Sequence, residues 1–337
     1  MSEALFHCEN YFHIGAYAEC VDAARACADA DALDALRRDV FVARSRVALG
    51  EGEVRRAIRD RSNRDRIAIA MNARVATRIA RRRRRTDGFD ARIRSVNEQI
   101  VIRETAEDAP AALRAVKLLA QYETNEDENA RQSVMDAIGA MLADEHASGD
   151  ATTRLVGATL LAREGNHVEA MRLCHGGLSL ELNAMMVNLL CKMDRAELAE
   201  KQAKMMQQID DDSTIAQLAC AWANCASGGK KIQDASYIYQ ELGDKYKWTP
   251  KLYNGSAVCS MMMNSYEDAE RDLLEAVAID PKDGETLANL AACALHLGKS
   301  SARFVNAMKQ AGVANEALTK ITSLERDFDR AAAAVVL

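Results

Sequence analysis

Several stretches of this chain carry residue types that could do chemistry. Gly176-Gly177 and Gly228-Gly229-Lys230-Lys231 offer glycine, and the second also lysine, to a phosphate, and Asp210-Asp211-Asp212 sets carboxylates side by side as for a cation. Six histidines (His7, His13, His146, His167, His175 and His296) and nine cysteines could ligate zinc or attack a substrate. Each fails on spacing. A phosphate cradle follows a strand and reads GxxxxGK[ST], which neither glycine pair does, so both are expected to be turns between helices. Zinc sites use HExxH or paired CxxC and HxxxH spacings, and the chain has neither. Carboxylates directly before Ser213 suit the positive end of a helix. The chain is therefore read as having no catalytic, metal or cofactor site, and as no enzyme.

The elements that position these residues are helical. Of the 337 residues 49% are apolar but only 5% aromatic, with three prolines and abundant Ala, Leu, Met, Glu and Arg; such residues favour helix, and strand formers are sparse. Cys8, Cys20, Cys27, Cys174, Cys191, Cys220, Cys225, Cys259 and Cys293 mostly fall at apolar helical positions, where a reduced thiol packs as a small hydrophobe, as expected of a cytoplasmic protein. Met1-Ser2-Glu3-Ala4-Leu5-Phe6 lacks an apolar signal core, and the uncharged run from Ser213 to Gly229 suits a buried repeat better than a bilayer span.

A period of about 34 residues organises the helices. Asn264-Ser265-Tyr266-Glu267-Asp268-Ala269 leads through Leu273 and Ala276 to Asp280-Pro281, and Ala235 stands 34 residues before Ala269. That period belongs to stacked helix pairs of the tetratricopeptide type: a small residue lets two helices touch, and proline closes the second. Gly15, Tyr17 and Cys20 repeat the spacing of Asn264, Tyr266 and Ala269, and Gly165, His167 and Ala170 repeat it again. Ala199, Ala235, Ala269 and Ala302 fall in near register, with helices expected over 130–142, 185–193 and 196–206 and another opening at Arg38. The expected fold is all-α, a tetratricopeptide-like α-solenoid of stacked antiparallel helix pairs. Its methionines, Met185-Met186, Met205-Met206 and Met261-Met262-Met263 among them, read as core filler or as a groove for a partner helix.

The net charge of −6 hides an asymmetry, because residues 55–94 hold fifteen arginines against four acids, a local balance of +11 that leaves −17 elsewhere. The run Arg81 to Arg85 repels itself and interrupts the apolar periodicity. Residues 1–54 and 100–337 therefore read as parts of one helical-repeat domain, with 55–99 an Arg-rich insertion. Three readings of it compete: a disordered loop, an in-frame retained intron, or a basic arm for nucleic acid or anionic lipid. Without interleaved aromatics, and with an acidic remainder, the last is least supported, and no nucleic-acid partner is expected.

Departures from the repeat consensus carry a resemblance. Trp222 in Ala219-Cys220-Ala221-Trp222, the run Gly228-Gly229-Lys230-Lys231-Ile232-Gln233-Asp234-Ala235, and Asp327-Phe328-Asp329-Arg330 are not demanded by helix pairing. With Glu3-Ala4-Leu5-Phe6, Arg38-Asp39-Val40-Phe41 and Lys192-Met193-Asp194-Arg195, they resemble the epsilon-subunit family of coatomer, the COPI vesicle coat, over nearly all the chain except the Arg-rich segment. The resemblance implies a non-catalytic coat subunit that binds the C-terminal region of the coatomer alpha subunit, within a coat recruited by an Arf GTPase. It implies a cytoplasmic protein, peripheral on Golgi membrane and COPI vesicles only through that coat, serving Golgi-to-ER and intra-Golgi transport. The competing reading is a peptide-binding adaptor or cochaperone, whose carboxylate clamp needs basic side chains on the first helices of neighbouring repeats; Cys220, Asn224, Asn254 and Val258 stand there instead.

If the Arg-rich segment is a retained intron, transcripts in which Glu53 codons run directly into those for Ile100 will be found by sequencing across the junction. A message that always retains the segment eliminates that reading.

Overall fold

The computed structural model describes residues 3–25, 27, 32–49, 109–124, 127–176, 179–311 and 316–335. The Arg-rich segment lies outside them. Among the described residues there are helices and turns and no strand. Two compact units form, Met1–Ala226 and Ser227–Leu337.

The first unit holds α1 (Glu3–His13), α2 (Tyr17–Arg25), α3 (Ala32–Ala48), α4 (Ala111–Thr124), α5 (Glu128–Ala143), the single turn α6 (Glu145–Ser148), α7 (Ala151–Arg163), α8 (His167–Cys174), α9 (Leu180–Lys192), α10 (Ala196–Ile209) and α11 (Thr214–Ser227). The second holds α12 (Lys231–Lys245), α13 (Pro250–Met262), α14 (Tyr266–Ile279), α15 (Gly284–His296), α16 (Ala302–Ala311) and α17 (Glu316–Val335). No described helix is long and apolar enough to cross a membrane.

One turn recurs at the hairpins α1–α2, α7–α8, α9–α10, α13–α14 and α15–α16. In each, the second residue after the first helix takes a left-handed backbone: Gly15 (φ 85°), Gly165 (φ 79°), Asp194 (φ 57°), Asn264 (φ 63°) and Gly298 (φ 68°). The next N–H then reaches back five residues, as in Ala16 to Tyr11 at 2.8 Å, Asn166 to Leu161 at 2.8 Å, Arg195 to Leu190 at 2.9 Å and Ser265 to Ser260 at 2.9 Å. This Schellman closure satisfies carbonyls that the helix end leaves open and reverses the chain tightly. Asp and Asn can stand in for glycine because their short polar side chains tolerate that conformation.

The tight turn brings residues twelve apart face to face in the pairs α7–α8, α9–α10 and α13–α14. Ala158 and Ala170 share one core, Ala257 and Ala269 another; Val187 and Ala199, at the same spacing, are both fully buried. Small side chains there allow close helix axes. Larger residues fill the flanks: Leu182 and Leu189 in the first unit, Leu273, Leu287 and Leu290 in the second. Starts are fixed by capping. Asp150 Oδ2 accepts from Thr153 N–H at 2.7 Å, and Thr249 Oγ1 from Leu252 N–H at 3.4 Å with Pro250 at the first helical position, where its missing N–H costs nothing.

Some expectations need correction. Ala302 is exposed; α16 packs through Phe304 and Met308 instead, because the turn before it is set by Gly298, 34 residues after Asn264. Helix α3 opens at Ala32 rather than Arg38, and α9 at Leu180 rather than Met185, with Ser179 Oγ accepting from Leu182 N–H at 3.2 Å. The methionines divide: Met206 and Met308 are core, whereas Met205 and Met262 are exposed.

The second unit contains two close contacts that periodicity does not announce. A Cβ added to Gly243 would stand 2.3 Å from the Trp248 indole, and one added to Gly255 would stand 2.4 Å from the Tyr239 ring. Alanine is about 1 kcal/mol better than glycine inside a helix, yet here the ring must move, and overpacking costs about 1 to 3 kcal/mol. Gly255→Ala should therefore lower the thermal midpoint, whereas Gly139→Ala in α5, with no atom within 4 Å of the added Cβ, should raise it. Ala269→Phe should cost a similar 1 to 3 kcal/mol, roughly, by the same overpacking. Thermal unfolding of the three variants checks the signs.

Candidate functional site

The residues singled out from the sequence are not gathered into one site. In the first unit, Gly15 and Gly165 form turns, Tyr17 packs edge-on against Phe12 at 5.6 Å, Cys20 and Ala170 are fully buried, and His167 is half-buried at the start of α8. Ala199 is buried in α10, and Trp222 is half-buried in α11, its carbonyl accepting a long contact from Cys191 Sγ at 3.9 Å. In the second unit, Gly228 and Gly229 take left-handed backbone ahead of α12, Ala235 is buried, and Gln233 and Asp234 face solvent beside it. Tyr266 stacks on His296 at 4.5 Å, Ala269 is buried, and Pro281 follows the end of α14. Phe328, Asp329 and Arg330 are exposed on α17, with Arg330 paired to Asp327 at 2.9 Å.

Asp210 and Asn254 are engaged in structural hydrogen bonds. Asp210 Oδ1 accepts from Ser213 N–H at 3.1 Å, ordering the turn into α11. Asn254 is buried and committed: its Nδ2 donates to Thr286 Oγ1 at 2.8 Å and its Oδ1 accepts from Asn289 at 3.0 Å. That removes it from any carboxylate clamp. Among the described residues no group of three or more His, Cys, Asp or Glu is placed to hold a metal ion.

A polar cluster in the first unit went unseen in the sequence. Arg44 on α3 donates to Glu181 Oε1 on α9 at 2.7 Å, and its guanidinium lies 4.4 Å over the Phe12 ring and 5.5 Å from that of Phe41. Thr214, at the start of α11, donates its hydroxyl proton to Asn10 Oδ1 on α1. Asn10 is buried and its Nδ2 has no acceptor. Residues 137 and 204 positions apart thus meet, so the first helices touch later ones as well as their neighbours. Pairings at such separation leave no periodic signal.

Charges in the cluster are unequally held. Burial pushes the Glu9 carboxyl up to about 7, helped by Glu181 and Asp34 and opposed by Arg37 and Arg44. Burial also pushes Glu181 up, but Arg44, His13 and Arg37 outweigh it, and the carboxyl ends below its usual range. The Glu181 carboxylate is thus held by an arginine that also lies over two aromatic rings, which fixes α9 against α3.

Apolar groups outside the core suggest contact surfaces. On α10, Leu198, Met205 and Ile209 form an exposed stripe at helical spacing. On α17, Leu324 and Phe328, 68% and 72% exposed, line a shallow groove with Ile321, Glu325 and Asp329. Such exposure is far above what an apolar side chain in a core would show, and it marks α17 as a surface helix with an apolar side.

The model of the coatomer epsilon subunit family matches residues 1–87 and 84–336. This chain belongs to the coatomer epsilon subunit family. The two matched stretches meet within the run Arg81 to Arg85 and its neighbours. The chain is 44% identical to coatomer subunit epsilon-1 of Arabidopsis thaliana over 69% of this chain and 79% of that protein. It is 36% identical to coatomer subunit epsilon-1 of Oryza sativa subsp. japonica, covering 99% of this chain and 98% of that one. Among solved structures, a tetratricopeptide repeat protein from Parabacteroides merdae superposes with a TM-score of 0.52 at 16% identity, covering 70% of this chain and 92% of its own. That likeness supports the repeat fold.

Glu9 gives a pH test. Its folded-state value lies above that of an unfolded carboxyl, so the folded chain holds the extra proton between about 4.5 and about 7, and stability falls as pH rises through that window. Glu9→Gln should match the natural chain at pH 4.5 and exceed it at pH 8, by denaturant unfolding at both. Equal stability at pH 8 would show Glu9 to be solvated.

Proposed function

We propose that this chain is a non-catalytic structural subunit of the COPI coatomer, and that it binds the C-terminal region of the coatomer alpha subunit. Within the coat it joins the other coatomer subunits and the Arf GTPase that recruits them. It reaches Golgi membrane and COPI vesicles as a peripheral component of that coat, in retrograde Golgi-to-ER and intra-Golgi transport. The observation that carries this reading is the family match across residues 1–336. The physical description agrees with it. Asp150 caps α7, Asn254 and Thr286 join in a buried network, and the apolar faces of α10 and α17 are suited to protein contact. Stacked helix pairs offer long surfaces to a partner segment.

Affinity capture from cytosol, with the full chain as bait and partners identified by mass, tests the proposal. Recovery of the alpha subunit together with other coat subunits is the expected result. Recovery of a chaperone through its C-terminal carboxylate, or of RNA, in place of coat subunits overturns it.

A further inference from the structure

In three helix pairs the buried residues twelve apart are alanine or valine: Ala158 with Ala170, Val187 with Ala199, Ala257 with Ala269. In the first pair the same two positions are Cys8 and Cys20. Both are fully buried in one core with Ala24 and Phe41, and their sulfurs stand 3.1 Å apart. Neither Cys8 nor Cys20 is in a disulfide. The repeat geometry itself, by holding α1 against α2, sets two thiols within about 1 Å of the bonding distance of a disulfide.

We propose that Cys8 and Cys20 form a dithiol–disulfide couple, a modification site within the first helix pair that responds to small-molecule disulfides such as oxidised glutathione. The chemistry balances with that oxidant alone. The Cys20 thiolate attacks one sulfur of the oxidant, breaking its S–S bond, releasing one thiolate and leaving a mixed disulfide on Cys20. Cys8 gives up its proton to solvent and attacks the Cys20 sulfur; the Cys8–Cys20 bond forms and the second thiolate leaves. Two protein thiols are oxidised by two electrons, and the oxidant is reduced to two thiols.

The roles follow from surroundings. A hydrogen bond from Cys8, the nearby Ser45 hydroxyl and the charge of Arg44 favour the thiolate at Cys20, whereas the same hydrogen bond and burial hold Cys8 protonated. Neither sulfur meets solvent in the closed pair, so attack on the oxidant requires local opening of α1 from α2, and mild denaturant should speed it. Reclosure then delivers Cys8 to the mixed disulfide.

The test uses the full chain with excess oxidised glutathione, with and without urea below the unfolding transition, followed by thiol alkylation and peptide mapping. The expected result is loss of two of the nine thiols, with the peptides bearing Cys8 and Cys20 recovered as one linked species. Its formation should be several-fold faster in urea, and dithiothreitol should reverse it. Cys8→Ala and Cys20→Ala place at these positions the residue that other pairs use, so both should fold with unchanged circular dichroism and form no linked species. Two separately glutathionylated cysteines, linkage to a different cysteine, or full alkylation of Cys8 and Cys20 even in urea would each overturn the proposal.

Discussion

Close approach of paired helices is the constraint from which the rest of this structure follows. A left-handed residue ends the first helix, the chain reverses within two residues, and the side chains twelve positions apart must then be small because the backbones leave no room. Every other packing choice is downstream. Leucines are buried beside the small residues, and Tyr17 and Tyr266 pack at the starts of their helices against Phe12 and His296. Where the small pair is absent, as at α15 and α16, Phe304 and Met308 take over the contact.

Buried polar groups in this fold join one helix to another. Asn254, Asp283, Thr286 and Asn289 satisfy one another between α13 and α15, which removes the cost of burying them. Arg44 and Glu181 do the same between α3 and α9, with two aromatic rings under the guanidinium. Such pairings say which helices must meet, a use of buried polar groups better attested than any gain in stability.

The helical-repeat fold was legible because its signals are local: a 34-residue spacing, a small residue, a glycine or asparagine turn. Residues such as Ala269 and Gly165 could be read from their neighbours alone. Ala302 misled because an alanine-rich chain supplies alanines at almost any offset; only the backbone at Gly298 shows where the last turn falls. The Arg44–Glu181 and Asn10–Thr214 contacts were illegible, since they join positions whose relation is set by the accumulated rotation of several helix pairs rather than by any spacing. The ring-against-glycine contacts at Gly243 and Gly255 were missed for a different reason: glycine inside a helix reads as a weakness until the aromatic facing it is known. Candidate surface residues fared least well. Exposure at Phe328 or Ile209 looks in sequence like any other apolar position on an amphipathic helix.

The packing of Trp248 has an optical consequence. Its indole is pressed against the backbone at Gly243 and stacked 4.7 Å from the Tyr253 ring in the second unit, while the chain's other tryptophan, Trp222, belongs to the first. Each unit therefore carries its own intrinsic fluorophore. Substituting one indole with phenylalanine leaves a single emitter, so the loosening of each unit can be followed by its own emission without adding a label.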